Sequence, residues 1–154
     1  MTEKYLNHNI DSFLKTSLSF FLIIIVGLIL PLFLLFIIHY TGYSEILEEI
    51  AKALVVLFLI LRLPNLKLKI IAAVIFGFLF GMSENILYIN DILQTGNFNI
   101  FWKRFLFPTP LHIITVLIIL FSALKNKKFI ILGTIMAIAV HLLFNQIIPY
   151  FNFN

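Results

Sequence analysis

From Leu18 to His39 the chain runs without one charged side chain. In lipid, every backbone N–H and C=O of such a run must be satisfied within the segment, and a helix does that. About 20 mostly apolar residues are enough to span a bilayer. Four further stretches reach that length: Ser44–Leu63, Leu68–Ile89, Phe105–Leu124 and Phe129–Ile148. The second and fourth of the five carry polar residues and are the weaker spans by hydropathy. Composition points the same way, with 62% hydrophobic residues, 12% charged and a mean hydropathy of +1.09. Soluble domains run near half apolar and a quarter charged, and a soluble globule of this size could not hide so much apolar surface. A soluble enzyme and a disordered tail are thereby excluded. With no cysteine there is no thiolate nucleophile, no Cys-ligated zinc and no disulfide.

The expected fold is all-α, a polytopic membrane bundle of about five helices. Residues 1–17 are polar, mixed in charge and read as a short cytoplasmic segment; residues 18–150 form a single bundle. The apolar run after residue 17 is too long for a signal-peptide core and lacks an A-x-A site, so it reads as a retained helix with a kink at Pro31. Thr41-Gly42-Tyr43, Pro64-Asn65, the Asp91–Asn99 segment and Lys125–Lys128 are the connections.

The net charge of +4 reflects topology rather than nucleic-acid binding, since no basic helix or aromatic stacking module is present. Eight Lys/Arg fall in the N-terminal segment and in the Arg62–Lys69 and Lys125–Lys128 loops, all on one side; Lys103 and Arg104 face the other. The positive-inside rule puts the N-terminus in the cytoplasm and the C-terminus outside, which agrees with an odd number of spans. A multi-pass protein of the cell membrane is the expected setting.

Ionisable groups inside a bilayer are costly and mark functional sites. Glu48 and Glu49 lie one turn into the second helix, Glu84 near the outer end of the third, His112 two turns into the fourth and His141 two turns from the end of the fifth. With Lys52 and Asn145 they occupy one slab roughly 6–12 Å below the outer boundary. Small residues share their faces: Ala73, Gly77 and Gly81 lead to Glu84, Asn85 and Tyr88, while Gly133 and Ala137 lead to His141 and Asn145. Pro108, His112 and Thr115 share a face of the fourth.

Each feature has a plainer account. Glu45, Glu48 and Glu49 could complement a helix N-terminus capped by Ser44. Lys52 could simply pair with Glu48 one turn away, and either histidine could be helix-packing glue. The coincidence in depth outweighs these separate accounts. Carboxylates and imidazoles in a low-dielectric cleft suit general acid–base work, and a His or Asn can hold an oxyanion. The same groups are ordinary zinc ligands. No H-E-x-x-H, G-x-G-D or G-x-S-G motif is present, and Ser83 lacks the setting of a nucleophile elbow.

Glu48-Glu49-Ile50-Ala51-Lys52 reads E-E-x-x-K, Phe80–Glu84 reads F-x-x-x-E, and His141–Asn145 reads H-x-x-x-N. In this order, over about residues 44–148, they resemble the PrsW-type intramembrane proteases, distant relatives of the CAAX prenyl endopeptidases. Asn85 after the glutamate, and Arg104…Pro108…His112, fit the same resemblance. It implies an endopeptidase cutting a membrane-anchored, anti-sigma-factor-like protein near the outer face. By the same resemblance Glu48 and Glu84 activate water, Glu49 orients Glu48, His141 and Asn145 form the oxyanion hole, and Lys52, Asn85, Arg104 and His112 support them. The second motif ends in Glu where CAAX enzymes carry His, which argues against prenyl-protein processing. Metal-free water activation is preferred, with a divalent metal such as zinc on Glu84, His112 and His141 as the alternative. Outside this reading stand a proton- or metal-coupled transporter and a non-catalytic immunity or assembly protein of the same fold.

Overall fold

The breaks between helices fall where local chemistry demands them. Gly42 takes φ 73°, a left-handed conformation that suits glycine, and its N–H closes the preceding helix on the carbonyl of Ile38 at 2.8 Å. Asn65 Oδ1 accepts from the Leu68 N–H at 2.9 Å, an N-cap that starts the next helix. Pro108 opens a later helix at a position where its missing N–H is no loss.

The computed structural model describes residues 2–89, 93, 94, 96 and 98–148, and of residues 2–9 the backbone alone. Its helices are α1 Thr2–Thr41, α2 Ser44–Arg62, α3 Leu66–Leu87, α4 Phe98–Leu106, α5 Pro108–Lys125 and α6 Ile130–Ile147, with a 3₁₀ turn at Lys127–Phe129. Among the described residues no strand occurs, and the expected all-α class holds. The polar N-terminal segment is the first part of α1 from Thr2 onward, and α1 continues on both sides of Pro31. Of the Asp91–Asn99 connection, residues 91, 92, 95 and 97 lie outside the described residues, as do residues 149 and 150 at the end of the expected bundle.

Four runs are long and apolar enough to cross a membrane: Ile10–Thr41, Leu66–Leu87, Phe98–Lys125 and Lys127–Ile147. The protein is thus a multi-pass helical membrane protein. α2 has 19 residues, enough length, but its first half carries Glu45, Glu48, Glu49 and Lys52. It spends them inward. Phe13, Phe33, Phe36, Leu54 and Ile131 are exposed around the bundle, as lipid-facing side chains would be.

The small-residue faces are the packed faces. A Cβ on Gly77 would stand 2.7 Å from Ile113 Cα, and one on Gly81 2.8 Å from Thr109 Cα, so α3 and α5 touch backbone to backbone. Gly133 plays the same part between α6 and α5, where a Cβ would meet Ser122 Cβ at 2.7 Å. Phe76, Phe80, Val56, Leu59, Val116 and Ile119 fill the core between these contacts. α3 runs antiparallel to α5, since Gly77 faces Ile113 and Gly81 faces Thr109. α2 runs antiparallel to α6, since Glu45 meets Asn145 and Glu49 meets His141. The starts of α2 and α5 and the ends of α3 and α6 therefore share one end of the bundle.

Candidate active site

Glu45, Glu48, Glu49 and Lys52 recur at three- and four-residue steps, which puts them on one face of α2. That face turns into the bundle. Lys52 is 0% exposed, and an ammonium so deep must be paired and hydrogen-bonded. Its Nζ donates to Glu49 Oε1 at 2.7 Å, to Nδ1 of His112 at 2.8 Å and to Thr115 Oγ1 at 3.4 Å. It also lies 4.7 Å from the centre of the Phe80 ring. The Lys52–Glu48 pair expected from the sequence is the looser one, at 4.0 Å; the close partner is Glu49.

This contact sets a chain of proton positions. An ammonium has no lone pair, so Nδ1 of His112 accepts and the ring proton sits on Nε2. Nε2 then donates to Glu84 Oε2 at 2.6 Å. The other oxygen of Glu84 lies 3.4 Å from Nη2 of Arg104, brought over by α4, whose guanidinium stacks on the Tyr88 ring at 3.6 Å. On the other side of Lys52, Glu49 Oε1 also accepts from Nδ1 of His141 at 2.8 Å. That leaves Nε2 as the open nitrogen of His141, and its ring meets His112 edge to face at 5.5 Å. Asn145 Nδ2 donates to Glu45 Oε1 at 2.9 Å on the exposed rim.

These side chains border a cavity of about 240 Å³, lined among others by Glu48, Glu84, Arg104, His112, His141 and Asn145. Glu49 and Lys52 are not on its wall; they lie behind it and hold both histidines. Asn85 is buried elsewhere, its Nδ2 3.5 Å from the carbonyl of Phe101, and it joins α3 to α4. Sequence reasoning gave Glu45 only a helix-terminus role, whereas it anchors Asn145. Its place one turn before Glu48 and Glu49 was the available signal. Ser44 is the first residue of α2 but makes no capping bond; its Oγ donates to Glu45 Oε2 at 3.0 Å. The Arg104–Tyr88 stack had no signal in spacing, because a poorly patterned connection separates the two.

Ligand atoms of Glu48, Glu84 and His112 all lie within 4.8 Å of one another. Glu48 Oε2 is buried with no hydrogen-bond partner, an acceptor that a cation would satisfy. Two carboxylates and an imidazole are a usual donor set for zinc and similar ions, so the residue types fit a divalent metal, which would take the place of the Nε2 proton that His112 now gives to Glu84. Glu48 stands in this group where the sequence reading had His141, which lies outside the close group although its Nε2 is open.

A family model described as PrsW family intramembrane metalloprotease matches residues 13–153. The chain belongs to that family. No curated protein and no solved structure matches it. PrsW membership brings the general activity, peptidase chemistry inside the membrane, and accounts for acids and imidazoles buried at one end of an apolar bundle. The PrsW description also names a metal-dependent class, against the metal-free account preferred from the sequence alone.

Proposed function

We propose that this PrsW-family protein hydrolyses a peptide bond of a membrane-anchored protein, in the cavity bordered by α2, α3, α5 and α6. The carrying observation is the pair of carboxylates, Glu48 and Glu84, facing one cavity with Glu48 Oε2 making no hydrogen bond. Glu48 takes a proton from the attacking water as its oxygen bonds to the scissile carbonyl carbon. Glu84, held by His112 and Arg104, keeps the water in place. Asn145, with one amide N–H left after Glu45, donates to the developing oxyanion. Neutral His141 carries its proton toward Glu49, so it joins the oxyanion hole only when doubly protonated. On collapse the C–N bond breaks and the proton held by Glu48 passes to the leaving amine. A divalent metal on Glu48, Glu84 and His112 would supply Lewis acidity toward the water and the carbonyl.

An apolar groove of about 380 Å³ between α2 and α6, walled by Ile50, Leu54, Leu57, Ile131, Ile135 and Ile138, opens to lipid just below the Glu49–His141 bond. It supports sideways entry of a substrate that stays in the membrane. The charge bias of the loops favours the outer face of the cell membrane for this chemistry and an anti-sigma-factor-like substrate, as the sequence resemblance implies. An active alkaline phosphatase fused to the C-terminus would support that face, and an inactive one would reverse it.

The decisive experiment sets wild-type proteoliposomes beside Glu48→Gln and Glu84→Gln with single-span substrates. Both variants should insert and purify normally and lose cleavage, since an amide keeps the shape but cannot take the water's proton. Cleavage by both near the wild-type rate would overturn the enzyme reading.

A further inference from the structure

At the end of the bundle away from the catalytic cavity, α1 and α2 enclose a second recess of about 210 Å³. Lys15 and Arg62 supply its cations and Ser12 and Thr16 its hydroxyls; Asp11 and Pro64 complete it. Further along the same seam lies an apolar slot of about 260 Å³, with Leu22 and Val26 on the α1 side and Leu54 and Phe58 on the α2 side. The register is continuous. Lys15 and Thr16 of α1 lie with Arg62 of α2, and Leu22 and Val26 lie with Phe58 and Leu54, as two antiparallel helices require. Ile23 is a buried part of the slot's lining, and Ser19, one turn before it on the same face of α1, is buried between the two recesses.

From Lys15 to Val26 the helix rises about 16 Å. That matches the depth of one leaflet's hydrocarbon, half of a core about 30 Å thick. A polar, net-cationic recess therefore stands in line with an apolar slot on one seam, the two together about one leaflet deep. A basic side chain at the membrane surface attracts anionic headgroups, and Lys and Arg both donate to phosphate oxygens.

We propose that the α1–α2 seam is a binding site for an anionic phospholipid, with its phosphate between Lys15 and Arg62 and an acyl chain along Leu22, Val26, Leu54 and Phe58. The lipid bridges the helix that carries Glu48 to the first span. No group of the catalytic cavity takes part, and Leu54 is the one residue shared with the groove proposed for substrate entry, so the site stands whether or not the protease reading does.

Native mass spectrometry of the full chain released from neutral detergent tests this, with dioleoylphosphatidylglycerol and dioleoylphosphatidylcholine as probes. Wild type should retain the glycerol lipid in preference. The double variant K15Q/R62Q should lose that preference by roughly fivefold for each charge removed and bind the choline lipid as before. K127Q/K128Q, which lowers charge elsewhere at the same end, should keep it. Val26→Trp, which fills the slot, should weaken retention of both lipids, and Leu54→Trp repeats the test should the first variant melt early. Sodium phosphate at millimolar concentration should not compete. Equal retention of the two lipids by wild type overturns the proposal. So does an equal loss in K127Q/K128Q, which would mean diffuse surface charge. Competition by free phosphate, with unchanged lipid retention in both tryptophan variants, would leave a simple anion site and sink the lipid.

Discussion

Lys52 Nζ and Nδ1 of His112 stand 2.8 Å apart across 60 residues of chain, and that contact decides which nitrogen His112 turns to Glu84. The same ammonium neutralises Glu49, which is 0% exposed. Removing one partner of a buried pair costs about 3–5 kcal/mol, because the other is left charged and alone. Lys52→Met should therefore lower the melting temperature in detergent sharply. Adding Glu49→Gln to it should restore much of the loss, and a double-mutant cycle measures the coupling. If Lys52→Met melts with wild type, Lys52 is not what holds Glu49 and His112 in place.

Metal content separates the two possible ligand sets. Purified protein should carry about one equivalent of a divalent ion, lost with activity on chelation. Glu48→Gln, Glu84→Gln and His112→Ala should each remove it. His141→Ala should keep it, since Glu48 and not His141 completes the close group. Retention in Glu48→Gln and loss in His141→Ala would restore the ligand set inferred from sequence.

Much of this site could be read from residue order because membrane depth is written in the sequence. The starts and ends of apolar runs fix how far Glu48, Glu84, His112 and His141 lie from one surface, and the structure brings them to one end of the bundle. Helix periodicity also gave the packed faces, as Gly77 and Gly81 against α5 show. Partner choice was not legible. Spacing allows Lys52 to reach either Glu48 or Glu49, and only the position of His112 on a distant helix draws the ammonium to Glu49. Nor could spacing give the turn at Phe107 that makes α4 a separate helix and delivers Arg104 to Glu84. Asn85 shares a helical neighbourhood with Glu84, yet the presence of α4 draws it out of the cavity.

Gly81 tests how closely the two halves of the site must approach. An added Cβ would lie 2.8 Å from Thr109 Cα and 3.0 Å from His112 Cδ2, and backbone on α5 cannot step aside as a flexible side chain could. Gly81→Ala should cost about 1–3 kcal/mol of stability and move His112 away from Glu84. Thermal melting reads the first effect. Cleavage rate per folded molecule reads the second, and an unchanged rate would show that the α3–α5 spacing is not set by this glycine.

Asn145 and Glu45 distinguish an oxyanion donor from a strut. Asn145 gives one amide N–H to Glu45 at 2.9 Å, which ties the end of α6 to the start of α2 and leaves a second N–H for chemistry. If that second hydrogen stabilises the transition state, Asn145→Ala should lower kcat by about 10²–10³. KM should barely move, because the bond strengthens only as charge develops on the carbonyl oxygen. Glu45→Ala removes the tie but keeps the amide. It should therefore cost some stability and far less rate. Should the two substitutions lower kcat alike, with equal drops in melting temperature, Asn145 serves only to hold the helices together, and the oxyanion must be held elsewhere in the cavity, where Arg104 puts a cation on the wall.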